Sequence, residues 1–300
     1  MSGIISIVLA GVFWGTVGLF ARFLEGQGLH PFYIVILRTA VAVLCLGCYL
    51  LLFQRDWLKI KKEDGWRFLL AGFVSIVLTH PALFLALRAN AIAVATILLY
   101  TAPFYTIILS RFIYNEAITR QKIIALFLAV AGLLLVVNVF DLKKQLVTPL
   151  GLILGLGAGL LQGIQTLTMK NVSLHYPPVT ALFYSFASGL AILWVILLLG
   201  RVPMPLNLLP KAWAGALGIG LVTTLTPFLL FAHGLKRTEA GIASIASMLE
   251  PVAAGIFGYL ILGERLEFAQ ILGMALMLVG IAVVAVSGKE QVLDRPVGEK

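Results

Sequence analysis

The chain is a succession of long apolar stretches separated by short polar or charged breaks. A helix needs about 20 mostly apolar residues to cross a membrane core of about 30 Å, and ten stretches of that kind fit between the breaks. The pattern therefore predicts an all-α polytopic membrane protein with ten transmembrane helices, numbered here as spans 1 to 10. The predicted spans cover approximately residues 4–24, 32–53, 66–88, 91–114, 119–140, 150–171, 179–199, 213–235, 239–262 and 267–287.

The composition excludes a soluble globular protein. Hydrophobic residues make up 61% of the 300 residues and charged residues 12%, whereas soluble domains carry roughly 25% charged residues. Cys45 and Cys48 fall inside span 2, where cysteine packs as a small hydrophobic side chain. The segment Met1-Ser2-Gly3 before span 1 has no basic side chain, so we expect span 1 to be retained rather than removed as a signal peptide.

The basic residues predict the orientation in the membrane. Ten spans place both termini on one side, and if that side is the cytoplasm it carries twice as many of the 22 Lys and Arg residues as the other side. Positive charge is enriched in cytoplasmic loops. We therefore predict a protein of the cell inner (plasma) membrane with both termini cytoplasmic. The net charge of +9 is then mainly an orientation signal, and no nucleic-acid partner is expected.

The sequence also matches itself at an offset of 148 residues. The matches include Ala95 with Ala243, Pro103 with Pro251, Glu116 with Glu264, Gly132 with Gly280 and Gly15 with Gly163. This offset divides the chain into a first five-helix repeat at 1–141, a second at 149–287 and a polar cytoplasmic tail at 288–300. Because five is odd, the second unit enters the membrane in the opposite sense. Such inverted repeats suit alternating access around a central cavity.

In each half, a block containing proline is followed at a helix end by a block containing glutamate. The blocks read Thr101-Ala102-Pro103-Phe104 and Tyr114-Asn115-Glu116-Ala117-Ile118, then Leu249-Glu250-Pro251-Val252 and Leu262-Gly263-Glu264-Arg265-Leu266. Together with Trp14-Gly15 and Leu37-Arg38, they resemble the pattern of EamA-type transporters in the drug/metabolite transporter superfamily, over about residues 4–287. The resemblance implies a secondary transporter of small metabolites, often an exporter of amino acids. Two departures are Asn115, where a glycine often precedes the glutamate, and Ala102, which matches Glu250.

Polar side chains in the middle of predicted spans are the candidates for a substrate cavity, because such groups are costly inside a membrane. Glu250 could carry a coupling proton, meet a substrate ammonium group, or bond to backbone freed by Pro251. His80 could bind substrate or bridge two helices. The predicted cavity residues are Trp14, His80, Tyr100, Gln162, Gln165, Tyr184 and Glu250.

Other residues are predicted to serve the scaffold. Arg38 is expected to pair with a carboxylate or with backbone carbonyls rather than contact substrate. Glu116 and Glu264 are expected to cap the helices of spans 5 and 10, or to pair with the nearby arginines at 120 and 265. Pro103 and Pro251 interrupt spans 4 and 9 at equivalent places and are either hinges or static kinks.

The remaining patterns narrow the function. A nucleotide-binding GxxxxGK[ST] loop, an HExxH motif and a cluster of His and Cys at metal spacing are absent from the sequence. We therefore expect no cofactor, no metal and no enzyme. The predicted function is export of amino acids or related metabolites by alternating access. A channel, a scaffold and, less favoured, an intramembrane enzyme are the alternatives. The expected partners are a small molecule, the lipid bilayer and, if Glu250 carries them, protons; a monomer and a homodimer both stay open.

Overall fold

The computed structural model describes residues 3–138, 148–200 and 210–293, with side chains up to residue 286. All regular structure in these ranges is helical. The helices are α1 (Gly3–Trp14), α2 (Val17–Gly26), α3 (Pro31–Phe53), α4 (Gly65–Gly72), α5 (His80–Ala89), α6 (Ile92–Leu99), α7 (Ala102–Ile113), α8 (Arg120–Val136), α9 (Pro149–His175), α10 (Pro178–Leu199), α11 (Pro210–Gly220), α12 (Thr226–Leu235), α13 (Ala240–Ala246), α14 (Leu249–Leu262) and α15 (Phe268–Leu293).

Nine helical segments in the described ranges are long and apolar enough to cross a membrane. They correspond to every predicted span except the fifth. There, α8 has 17 described residues, and the predicted end of the span lies among residues 139–147, outside the described ranges. The all-helical, multi-pass fold is thus confirmed, whereas the count of ten is not confirmed in full. Helix α15 continues to Leu293, so the first part of the predicted polar tail is helical.

The outer surface is strongly apolar. Phe112, Leu199 and Phe268 each expose 81% of their surface. Side chains of this kind rarely gather on the outside of a protein in water, and here they are positioned to meet lipid.

Proline and capping side chains set several helix starts. Pro31, Pro149 and Pro178 occupy the first turn of their helices, where the missing N–H costs nothing. The Thr119 hydroxyl accepts from Lys122 N at 3.3 Å and so caps α8.

Two spans are interrupted at equivalent places. Helix α6 ends at Leu99 and α7 begins at Ala102, while α13 ends at Ala246 and α14 begins at Leu249. Each second half carries a proline in its first turn, Pro103 or Pro251. Proline cannot donate the usual helical hydrogen bond. Tight turns bridge the gaps, with Thr101 N bonded to Leu98 O at 3.2 Å and Met248 N to Ile245 O at 3.0 Å.

Two other spans widen into π-helical turns, over Phe73–Thr79 and Leu221–Leu225, each shortly before a proline. The Thr79 hydroxyl donates to Val74 O, five residues earlier, at 2.7 Å. Such turns are frequent at functional sites. They were not predicted, and the only signal in the sequence is a threonine shortly before a proline in the middle of a span.

Glycines let the first span of each unit lie against the fourth span of the other. We call the contact of α1 and α2 with α14 seam 1, and that of α9 with α6 and α7 seam 2. A Cβ on Gly15 would lie 2.6 Å from Ala253 Cβ in seam 1, and one on Gly163 would lie 3.1 Å from Ala102 O in seam 2. Gly15 and Gly163 are matched by the repeat, so the two seams are equivalent. Close approach of helices through small residues is typical of membrane proteins.

Candidate functional site

A cavity of about 360 Å³ lies between the two units. It reaches the surface at Glu25, which is exposed. At the other end it is closed by Thr166, Met169 and Ser244, which are at most 5% exposed. We call the closed end the N-terminal face, because Gly3 packs there against Thr238, and the open end the opposite face.

Both units contribute to the wall of the cavity, often through residues 148 positions apart. The lining includes Trp14, Val17, Ala21, Arg38, His80, Leu83, Phe84, Leu99, Tyr100, Ala102 and Pro103 from the first unit and Gln162, Gln165, Thr166, Met169, Ile219, Phe228, Phe231, Ser244, Ser247 and Glu250 from the second.

The structure brings six of the seven predicted cavity residues together in this lining and leaves out Tyr184. The Tyr184 hydroxyl donates to Leu58 O at 2.8 Å, and its ring packs 5.3 Å from that of Phe68. Tyr184 faces away because α10 turns it toward the loop between spans 2 and 3. The Tyr184 hydroxyl therefore stabilises the packing of the helix against this loop. Pro103 lines the cavity, whereas Pro251 is not among the lining residues.

Arg38 has the predicted pairing role but also lies at the cavity, where its guanidinium hydrogen-bonds His80 Nε2. The other ring nitrogen, His80 Nδ1, lies 2.6 Å from Ser75 O inside the π-helical turn. Since a carbonyl can only accept, Nδ1 carries the proton and Nε2 accepts from arginine. The wide turn thus orients the imidazole, and the imidazole holds Arg38 at the cavity wall. The partner of Arg38 is a histidine rather than the predicted carboxylate or carbonyl.

Two buried polar atoms on the lining residues have no hydrogen-bond partner among the described residues, namely Arg38 Nε and Gln165 Oε1. Gln165 is only 6% exposed. Buried polar atoms are normally satisfied. Neither atom has accessible surface in this structure, so each would meet a bound molecule only if its side chain turned.

Glu250 lies in the first turn of α14, where the positive end of a helix dipole favours a carboxylate. Its carboxyl group is within hydrogen-bonding reach of the Tyr100 hydroxyl and interacts electrostatically with the Arg38 guanidinium. No direct ion pair joins Glu250 to Arg38 within the described ranges. The two opposite charges therefore both face the cavity.

Part of the cavity wall is aromatic. The Trp14 ring meets Phe228 edge-on with centroids 5.3 Å apart, and Phe231 with centroids 5.2 Å apart. Such geometry is favourable for aromatic pairs. The cavity lining thus combines charged groups with aromatic rings.

The predicted roles of Glu116 and Glu264 are wrong in their partners. Glu116 accepts from Lys170 Nζ at 2.5 Å and from Ala240 N at 2.8 Å, so it caps α13. Glu264 pairs with Arg22 at 2.8 Å. Both glutamates thus contact the other unit rather than the arginines close to them in sequence.

Backbone geometry explains these partners. The residues just before the two glutamates, Asn115 and Gly263, adopt left-handed φ angles of 56° and 69°. Left-handed residues of this kind end helices by redirecting the chain, and asparagine tolerates the conformation better than most residues with a side chain. The departure at Asn115 from the family pattern therefore preserves the turn.

Searches for similar proteins agree with this architecture. The model of the EamA-like transporter family matches twice, at residues 1–138 and 149–286. An uncharacterized transporter of Archaeoglobus fulgidus is 32% identical over 281 residues, which cover 93% of this chain and 94% of that protein. The uncharacterized transporter YwfM of Bacillus subtilis is 27% identical, over 95% and 94% of the two chains. A solved crystal structure superimposes with a TM-score of 0.79 over 96% of this chain and 98% of its own, at 15% identity, and so shares the fold.

Proposed function

Because the chain belongs to the EamA-like transporter family, we propose that it is a secondary transporter that exports amino acids or related small metabolites. The observation that carries this proposal is the cavity between the two units, whose lining contains both charged groups and aromatic rings. Its volume of about 360 Å³ falls within the usual range for small-molecule sites, about 300–1,000 Å³.

The charges favour a zwitterion as the substrate. Arg38 is placed to receive a carboxylate and Glu250 to receive an ammonium group, since both residues line the cavity. Gln165 also lies in the lining, and the rings of Trp14 and Phe228 would cover an apolar side chain. Charge-assisted hydrogen bonds of this kind are about twice as strong as neutral ones.

Transport proceeds, in this proposal, by alternating access. The repeats at 1–141 and 149–287 move as inverted units around the cavity, with Pro103 and Pro251 at the interrupted helices as hinges, while 288–300 form a cytoplasmic tail. Glu250 carries a coupling proton, since a carboxylate facing the cavity can exchange a proton for substrate. The protein lies in the inner membrane with both termini in the cytoplasm, as the distribution of basic residues favours.

The proposal is tested with purified protein in liposomes. We expect saturable uptake of labelled amino acids, driven by a pH gradient and recovered chemically intact. Glu250→Gln should abolish the pH-driven accumulation, whereas Tyr184→Phe, outside the cavity lining, should leave it unchanged. Flux that rises linearly without saturation would indicate a channel, absence of any flux a scaffold, and altered product an enzyme. Undiminished gradient-driven uptake by Glu250→Gln would contradict the proton-carrier role.

A further inference from the structure

Each seam ends in an ion pair that joins the two units. In seam 1, Arg22 pairs with Glu264, and in seam 2, Lys170 pairs with Glu116. Arg22 and Lys170 are 148 positions apart, as are Glu116 and Glu264. The repeat therefore generates the same contact twice, once at each end of the cavity.

The pair at the N-terminal face is buried. The Lys170 and Glu116 side chains are only 9% and 5% exposed, with Nζ 2.5 Å from Oε1. Lys170 also donates to Thr238 O at 3.0 Å, and Glu116 accepts from Gly241 N at 3.2 Å. Every charge here has several partners, as a buried ion pair requires.

The pair at the opposite face is exposed. The Arg22 and Glu264 side chains are 65% and 49% exposed, although their nearest atoms lie 2.8 Å apart. One turn before Arg22, a Cβ on Gly18 would meet no atom within 4 Å. Because the helix is interrupted after Trp14, α2 is free to diverge from α14 while α1 stays packed. The cavity reaches the surface beside this pair, at Glu25.

We propose that these two ion pairs are reciprocal latches, which select the side to which the cavity opens. This inference rests on the proposed alternating access. When the cavity opens to the N-terminal face, the Lys170–Glu116 pair becomes exposed, as the Arg22–Glu264 pair is in this structure, and the Arg22–Glu264 pair becomes buried. Each pair can be stable in both environments, because hydration of the charges in an exposed pair offsets the stronger attraction in a buried one. A buried charge without its partner is the costly arrangement.

The repeat supplies matched reporters for the test. Ala21 and Met169 are 148 positions apart and both line the cavity, toward the opposite face and the N-terminal face respectively. Cys45 and Cys48 are replaced by alanine, and a single cysteine is placed at either reporter position. Alkylation by a membrane-impermeant maleimide is then measured from each side of oriented vesicles.

Neutralising one ion pair should change the labelling of the two reporter cysteines in opposite directions. Glu116→Gln is expected to raise labelling at position 169 from the N-terminal face and to lower labelling at position 21, changing their ratio on the order of tenfold. Glu264→Gln, the matched variant, should shift the ratio the other way.

The measurement needs no substrate, so its outcome is independent of whether transport is detected. Changes of the same sign in both variants would mean general loosening and would overturn the proposal, as would unchanged labelling. If Glu116→Gln fails to fold, Glu264→Gln at the exposed pair still tests the proposal. If the pair acts as a latch, Glu264→Gln must lower the labelling of Met169→Cys. Opposite shifts without transport would retain the latches and reject the proposed function.

Discussion

The contact between α8 and α15 offers a test of the fold, because adding one methyl group there should decide whether stability rises or falls. Gly132 in α8 faces α15, and a Cβ at this position would lie 2.6 Å from Met277 Cγ, 2.9 Å from Met277 N and against the Gly273 carbonyl oxygen. Two of these three atoms belong to the backbone and cannot turn aside. Gly132→Ala should therefore destabilise the protein by pushing the helices apart.

The magnitude follows from two opposing effects. Replacing glycine by alanine inside a helix gains about 1 kcal/mol, whereas overpacking a filled contact costs about 1–3 kcal/mol. Because backbone atoms form the obstacle, we use the upper end of that cost and expect a net loss of about 2 kcal/mol. Gly157 in α9 is the matched control, since its added Cβ would meet no atom within 4 Å. Gly157→Ala should gain about 1 kcal/mol.

The assay is thermal unfolding in detergent, followed by size-exclusion chromatography of the protein that stays monodisperse. Gly132→Ala should unfold below the wild-type temperature and Gly157→Ala at or above it. A Gly132→Ala protein as stable as Gly157→Ala would refute the reasoning, because the close contact between α8 and α15 would then not exist.

Two further predictions concern a buried ion pair and the orientation in the membrane. Lys122 is 1% exposed and pairs with Glu239, so Lys122→Met should lower the free energy of unfolding by about 3–5 kcal/mol. Lys59→Met, which breaks a fully exposed pair, should leave the unfolding temperature unchanged, and equal effects of the two substitutions would argue against a buried pair. Single cysteines at Asp141 and Gly288 should react with an impermeant reagent from opposite sides of the membrane, and labelling from the same side would overturn the predicted orientation.

Much of the scaffold could be predicted because a membrane imposes a simple rule on the sequence. Each span must be apolar over about 20 residues, so the spans can be recognised without knowing how they pack. The repeat was recognisable for a similar reason, since Pro103 and Pro251 recur at one offset. Polar residues in the middle of a span are rare, and this rarity singled out six of the residues that line the cavity.

Partners were harder to predict than positions. Glu116 was assigned to its own helix junction, yet it binds Lys170 in the other unit, 54 residues away. Arg38 was expected to meet a carboxylate or a carbonyl, and its histidine partner depends on a π-helical turn that the hydrophobic pattern does not reveal. Tyr184 and Tyr100 both lie in apolar stretches of the sequence. Only the rotation of α10 places the Tyr184 side chain outside the cavity.

The sequence by itself therefore determined the class of protein, most of the spans, the duplication and six of the residues that face the cavity, because these depend on local hydrophobicity and on matches along the chain. The tertiary structure alone decided which charges meet, which end of the cavity is closed, and how seams 1 and 2 differ. The two units follow one pattern, yet the pair at the N-terminal face is buried and its counterpart is exposed. Such asymmetry arises from packing, where identical contacts can be open or closed, and so it leaves no trace in a repeated sequence.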